Sequence, residues 1–189
     1  MRIGITGGTG FLGRQLGARL AARGDELVVF TRSPDEAAIP ARARAVAWHP
    51  IQEPAPADAL RGLDAVVHLL GEPVLGRWTE AKRARIRDSR VLGTRHLVEG
   101  LEACSERPPV LIAGSATGYY GDTGETTVTE ESPPGRGFLA EVGVEWEAEA
   151  RRAEPLGIRV ARVRTPPVLH PGGGMLKAML PSFRLGLGA

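Results

Sequence analysis

The chain contains one cysteine, two tyrosines and only two lysines, Lys82 and Lys177, among its 24 basic residues. Cys104 alone excludes an internal disulfide framework, which fits a reducing, cytoplasmic setting. No apolar run approaches the roughly 20 residues that span a bilayer. No secretory leader is expected either, because the opening "RIGIT" already reads as a strand. His49, His68, His96 and His170 show no metal-ligand spacing and have no cysteine partners, so no metal site is expected. Blocks of like charge are also missing. The net charge of +2 comes from scattered arginines, which argues against nucleic acid as a partner and leaves a small-molecule substrate.

What is present is alternation. The 189 residues suffice for one full domain with a core. Apolar runs "RIGIT", "ELVVFT", "ARAVAW", "DAVVHLL", "PVLIAG" and "IRVARVR" read as six strands. Helical patterns separate most of them. "FLGRQLGARLAARG" carries Phe11, Leu12, Leu16 and Leu20 at helical spacing; "PADALRGL" is a short helix. A long helix is expected from Thr79 to Ala103, interrupted near Ser89, and "LAEVGVEWEAEARRAE" gives another. Such alternation predicts an α/β fold, a doubly wound parallel sheet covered on both faces. The polar stretch 121–137 reads as a surface loop, and "PGGG" as a turn before a last short helix, since no Walker lysine accompanies it. His68 alternates within a buried strand and reads as a hydrogen-bonded core residue; His170 falls near the expected cleft.

"ITGGTGFLG" sets Gly7, Gly10 and Gly13 between the first strand and the first helix. A tight turn there needs positive φ, a diphosphate needs bare backbone N–H groups at a helix N-terminus, and the third glycine lets helix and sheet approach closely. At the end of the second strand an NAD site places Asp or Glu on the ribose. This chain has Thr31, Arg32 and Ser33, with no acid before Asp35. A guanidinium flanked by hydroxyls suits a ribose 2′-phosphate, so NADP(H) is the expected cofactor, with NAD(H) as the alternative. The competing interpretation of Arg32 is a solvated surface arginine.

At this point the chain resembles extended, epimerase-like short-chain dehydrogenases/reductases. More closely it resembles an atypical branch of NAD(P)-dependent epimerase-family proteins, sugar-nucleotide-epimerase-like, some labelled cell-division inhibitors. "TGGTGFLGRQL", "HLLGEPV", "RWTEAKRARIRDSRVLGTRHLVE", "SATGYYGD", "FLAEVGVEWEAEA" and "RTPPVLHPGGGMLKAMLPSFRLGLG" carry the likeness. It implies an NAD(P)-binding Rossmann domain over 1–165 and the start of a substrate lobe over 166–189, most of that lobe lying beyond this chain. By position, Gly7, Gly10, Phe11 and Leu12 would line the diphosphate, with Leu69, Leu70 and Gly71 beside the adenosine and Glu72 toward the nicotinamide. Ser115 and Thr117 would face the substrate, and Arg164, Thr165 and Pro167 would wall the nicotinamide. By analogy the long helix would pair in a homodimer.

The family's catalytic pair is a tyrosine followed four positions later by a lysine, and this chain lacks it. Thr123 follows Tyr119 at that spacing and Gly124 follows Tyr120; where the pair would fall stand Phe138 and Val142. Ala116 falls near the usual catalytic serine, between Ser115 and Thr117, and Arg90 replaces the asparagine common in "N-x-x-G-T". A free phenol titrates near 10. Without the lysine it donates a proton but does not abstract one, unless Arg164 or an oxidised nicotinamide lies close. The expectation is an NADP(H)-dependent oxidoreductase or epimerase-like protein that transfers hydride to a small or nucleotide-linked carbonyl. Tyr120 or Tyr119 would donate the proton, with Ser115 or Thr117 binding the oxygen. The alternative is a non-catalytic NADPH-binding sensor or interaction module, with "YYG" a structural corner. Glu72 and Glu141 are acids that would act as base if burial raised their pKa. Arg77 and Trp78 would reach over the cleft toward an anionic substrate.

Overall fold

The computed structural model describes residues 1–187. Its sheet has six strands: β1 (Arg2–Thr6), β2 (Glu26–Thr31), β3 (Ala43–Ala47), β4 (Ala65–His68), β5 (Val110–Ala116) and β6 (Arg159–Thr165). All neighbours pair in parallel, in the order β3-β2-β1-β4-β5-β6. The chain therefore winds outward in two directions from β1. The reversal between β1 and β4 leaves a crevice at the carboxyl ends of those strands, where open α/β sheets bind ligands.

Strand alternation sorts the apolar residues to two faces. Ile3, Ile5, Leu27 and Val67 point to one face, where Leu16 and Leu20 of helix α1 (Phe11–Ala22) cover them. Val28, Phe30, Val66 and Leu111 point to the other. There they meet the short α2 (Ala57–Leu60), the long α3 (Glu80–Ala103) and α4 (Phe138–Arg151). Leu97 and Leu101 of α3 have no exposed surface, and burying each contributes about 2 kcal/mol. The last helix, α5 (Gly174–Arg184), has no buried residue.

Helix α3 differs from the sequence expectation: it runs unbroken through Ser89. A serine inside a helix competes for backbone hydrogen bonds. Here the Ser89 hydroxyl donates to Ile86 O within the helix and accepts the Glu72 amide from outside, so both of its capacities are used without a kink. Thr79 starts the helix, its side chain accepting from the Lys82 amide.

His68 ends β4 and ties three elements together. Its Nδ1 lies 2.6 Å from Thr6 Oγ1 on β1, and its Nε2 lies 2.8 Å from Thr94 Oγ1 on α3. The ring is wholly buried, and burial pushes its pKa from the ordinary 6.5 down to about 4. Both threonine contacts are neutral, so no nearby charge offsets that penalty. Thr6 is the last residue before the glycine turn, so the clamp fixes where that turn begins.

Between about pH 4 and 6.5 the unfolded chain binds a proton at this position that the folded chain refuses. His68 therefore favours the folded state fully above pH 6.5 and loses that contribution as pH falls toward 4, by about 3 kcal/mol in all. Urea unfolding across this window should show the loss in the parent protein, and His68→Gln should flatten it.

Candidate functional site

The turn from β1 to α1 is shaped by backbone contact. Gly7 has φ +67°, and a Cβ there would sit 2.6 Å from Leu69 O. Its carbonyl accepts the Gly10 amide at 3.0 Å, closing the turn. A Cβ on Gly13 would overlap Gly7 O, so only glycine lets α1 start this close to the strand. No side chain caps α1 at Gly10 and no acid occupies its first turn, which leaves the first amides to an outside anion.

This turn opens onto a cleft of about 810 Å³. Gly7 and Arg14 form one wall, Thr31, Arg32 and Ser33 the end of β2, and Leu70, Gly71 and Glu72 the loop after β4. These are the β1, β2 and β4 termini on which sequence reasoning placed the cofactor. Gly10, Phe11, Leu12, Gly13 and Leu69 neighbour the cleft without lining it. Phe11 has another contact. Beyond β6 the chain makes a tight antiparallel turn, pairing Leu169 with Gly174 and His170 with Gly173. The His170 ring sits 5.2 Å from the Phe11 ring, and a Cβ on Gly173 would overlap that ring. The glycine run thus lets this turn close on the start of α1.

The carboxyl ends of β5 and β6 carry a separate assembly outside the cleft. Ser115 and Arg164 are paired across the two strands and face α4. Arg164 Nε and Nη2 donate to the two oxygens of Glu147 at 2.7 and 2.9 Å. Ser115 Oγ donates to Glu147 Oε1 at 2.7 Å. Arg164 Nη1 donates to Tyr120 OH at 2.7 Å and to Glu130 O at 3.0 Å. The same guanidinium lies 3.7 Å from the centre of the Tyr119 ring. Glu147 is 1% exposed. Burial alone would push its carboxyl up, but Arg164, the Ser115 hydroxyl and the charge of Arg162 outweigh that and hold it below the usual range. The Arg164 pKa is raised, first of all by the hydrogen bonds to Glu147.

The other expected site residues have these surroundings. Ser115 is buried, and its hydroxyl donates to Glu147. The Arg164 guanidinium turns to α4 and Tyr120. Tyr119 is buried, covered by that guanidinium and edge-on to the Tyr120 ring. Tyr120 and Thr117 stay half-exposed in the turn after β5. Thr165 is half-exposed and Pro167 exposed, both outside the cleft wall. Glu72 is no raised-pKa base: the hydrogen bond from Lys82 at 2.7 Å holds its carboxyl below the usual range. Glu141 is an exposed residue in the first turn of α4.

Sequence reasoning missed Glu147. A signal was available: Val142, Gly143, Trp146 and Ala150 are the buried stripe of α4, and Glu147 lies at helical spacing within it. A carboxylate on an apolar stripe calls for a cation from the facing strand.

The NAD dependent epimerase/dehydratase family model matches residues 3–186. An epimerase family protein of Mycobacterium bovis is 37% identical over 188 residues, covering 99% of this chain and 60% of that protein. Among solved structures, the human epimerase family protein SDR39U1 with NADPH superposes with a TM-score of 0.82 at 30% identity, over 100% of this chain and 61% of that one. A nucleoside-diphosphate sugar epimerase from Corynebacterium glutamicum gives 0.79 at 36% identity, over 97% of this chain and 37% of that one. The chain thus spans about 60% of the length of the curated relatives it matches.

Removing one member of a buried ion pair leaves the other charge uncompensated. Glu147→Gln should therefore destabilise the fold by about 3 kcal/mol in urea titration, and adding Arg164→Met should restore part of the loss.

Proposed function

Because the chain belongs to the NAD dependent epimerase/dehydratase family, we propose that it binds NADP(H) in the cleft after β1, β2 and β4 and reduces a small or nucleotide-linked carbonyl compound. One observation carries the cofactor assignment: Arg32, with Thr31 and Ser33 beside it, lines the same cleft as the glycine turn. The fit is physical. Bare amides and the closely approaching backbone at Gly7 and Gly13 suit a diphosphate, and a guanidinium between hydroxyls suits a 2′-phosphate. That a human relative at 30% identity was crystallised with NADPH supports the same choice.

A reduced nicotinamide held in this cleft would supply the hydride. This chain supplies the proton from Tyr120, whose oxygen accepts a hydrogen bond from Arg164 Nη1. That bond stabilises the negative charge left on the phenol oxygen after its proton passes to the developing alkoxide. Arg164 thus takes over work that the missing lysine would do, while Glu147 holds the guanidinium in place. Thr117, in the same turn, offers a second hydrogen bond to the substrate oxygen.

A second interpretation, cofactor binding without turnover, draws support from Phe138 at the site of the family's phenol and from Ser115 being engaged with Glu147. Turnover separates the two. A reductase oxidises NADPH when a carbonyl substrate is added, and Tyr120→Phe abolishes it. A sensor binds NADPH tightly and oxidises it with no carbonyl.

Arg32→Ala should weaken NADPH binding by about 1.5–3 kcal/mol, roughly ten- to a hundredfold, and leave NADH nearly unchanged. Calorimetry with both cofactors reads this directly, and equal losses would overturn the assignment.

A further inference from the structure

Arg83, beside the site, is held by aromatic rings and not by a carboxylate. Between Arg77 and Arg90, Lys82 and Arg85 face Glu72, and Arg87 pairs with Glu145 at 2.8 Å. Arg90 donates to the carbonyls of Glu72 and Ile86, with its guanidinium 5.2 Å from the Trp146 ring centre. Arg83 is different. Among the described residues it has no carboxylate at ion-pair distance. Its guanidinium instead stands 5.5 Å from the Phe138 ring centre and 5.9 Å from that of Trp78. The two rings meet edge-on at 5.6 Å. They come from different elements: Trp78 from the loop after β4, Phe138 from the first position of α4. Trp78 is pinned in place, its indole N–H donating to Val74 O at 2.7 Å.

The cluster lies on the catalytic side of the sheet. Leu139, next to Phe138, packs against Gly118 in the turn that carries Tyr120; a Cβ on Gly118 would stand 3.4 Å from Leu139 Cβ. Trp78 belongs to the segment joining β4 to α3, which begins at the cleft residues Gly71 and Glu72. An arginine set against aromatic faces keeps its in-plane N–H groups free and loses part of its hydration, which strengthens a bond to an oxyanion. A merely solvated surface arginine would not need two rings from two elements, one of them fixed by its own hydrogen bond.

We propose that Arg83, walled by Trp78 and Phe138, is a specificity residue that holds an oxyanion, carboxylate or phosphate, on the substrate. The sequence suggested Arg77 for this role; the structure gives Trp78 to Arg83 instead. The proposal rests on the function above only in taking the ends of β4 and β5 as the substrate side. Phe138 then has a purpose without a hydroxyl: at the family's phenol position it serves as an apolar wall.

The test is calorimetric titration of the intact protein, with and without saturating NADPH, using succinate and inorganic phosphate as probes and neutral succinamide as control. The parent protein should bind at least one anion in the millimolar range and not succinamide; which anion it prefers distinguishes a carboxylate from a phosphate substrate. Arg83→Gln should weaken that binding about tenfold or more, Trp78→Ala several-fold, and Arg87→Gln should leave it unchanged. Equal anion affinity in the parent and Arg83→Gln, or no anion binding by the parent in either condition, would overturn the subsite. Failure of NADPH itself to bind would strike the cofactor assignment alone, because the titration without NADPH still reads Arg83.

Discussion

A carboxylate removed from water has to be met by charge and hydrogen bonds, and Glu147 imposes that demand on everything around it. It sits on the buried stripe of α4, under β5 and β6. Arg164 answers with two parallel N–H bonds, Ser115 with a hydroxyl, and Arg162 and Arg151 stand 3.5 and 3.7 Å away. Ser115 comes from β5 and Arg162 and Arg164 from β6, so satisfying one carboxylate fixes β5, β6 and α4 together. The tyrosine turn is held as a consequence. Arg164 has one face against Tyr119 and one nitrogen on Tyr120, so the phenol's position is set by an ion pair on the far side of the same guanidinium.

The two ends of the sheet's carboxyl edge are built on different principles. The end under β1 and β2 is backbone: glycines at positions where a Cβ would strike a carbonyl, and helix amides left without a side-chain cap. Its placement depends on the neutral His68 clamp between Thr6 and Thr94. The end under β5 and β6 is side-chain charge, and it is tightly compensated. Of the two lysines in the chain, Lys82 is committed to Glu72, which holds the loop after β4 beside the cleft. A chain so poor in lysine leaves arginine to supply the cation at the phenol. Arginine differs from lysine in having several N–H groups in one plane, which lets a single residue satisfy a buried carboxylate and a phenol at once.

Much of the fold was legible because it follows from periodicity. Strand alternation and apolar helical spacing are local properties, and the order of strands and helices constrains a doubly wound sheet through the handedness of its crossovers. The glycine turn was legible for the same reason: positive φ and close approach are written in residue identity, and Thr31, Arg32 and Ser33 follow the second strand directly. The expected interruption of α3 at Ser89 failed because the competing hydroxyl found a partner in Glu72, a residue in another segment.

Element order, the backbone cradle and the absence of the tyrosine–lysine pair can be read along the chain, since each depends on residues close together in it. The contacts of Ser115, Tyr119, Tyr120 and Arg164 were set by folding alone. They follow from one carboxylate, Glu147, which lies 32 residues beyond Ser115 and meets it only after α4 packs on the sheet. The strength and direction of a charge interaction depend on distance and burial, and neither exists until the chain has folded.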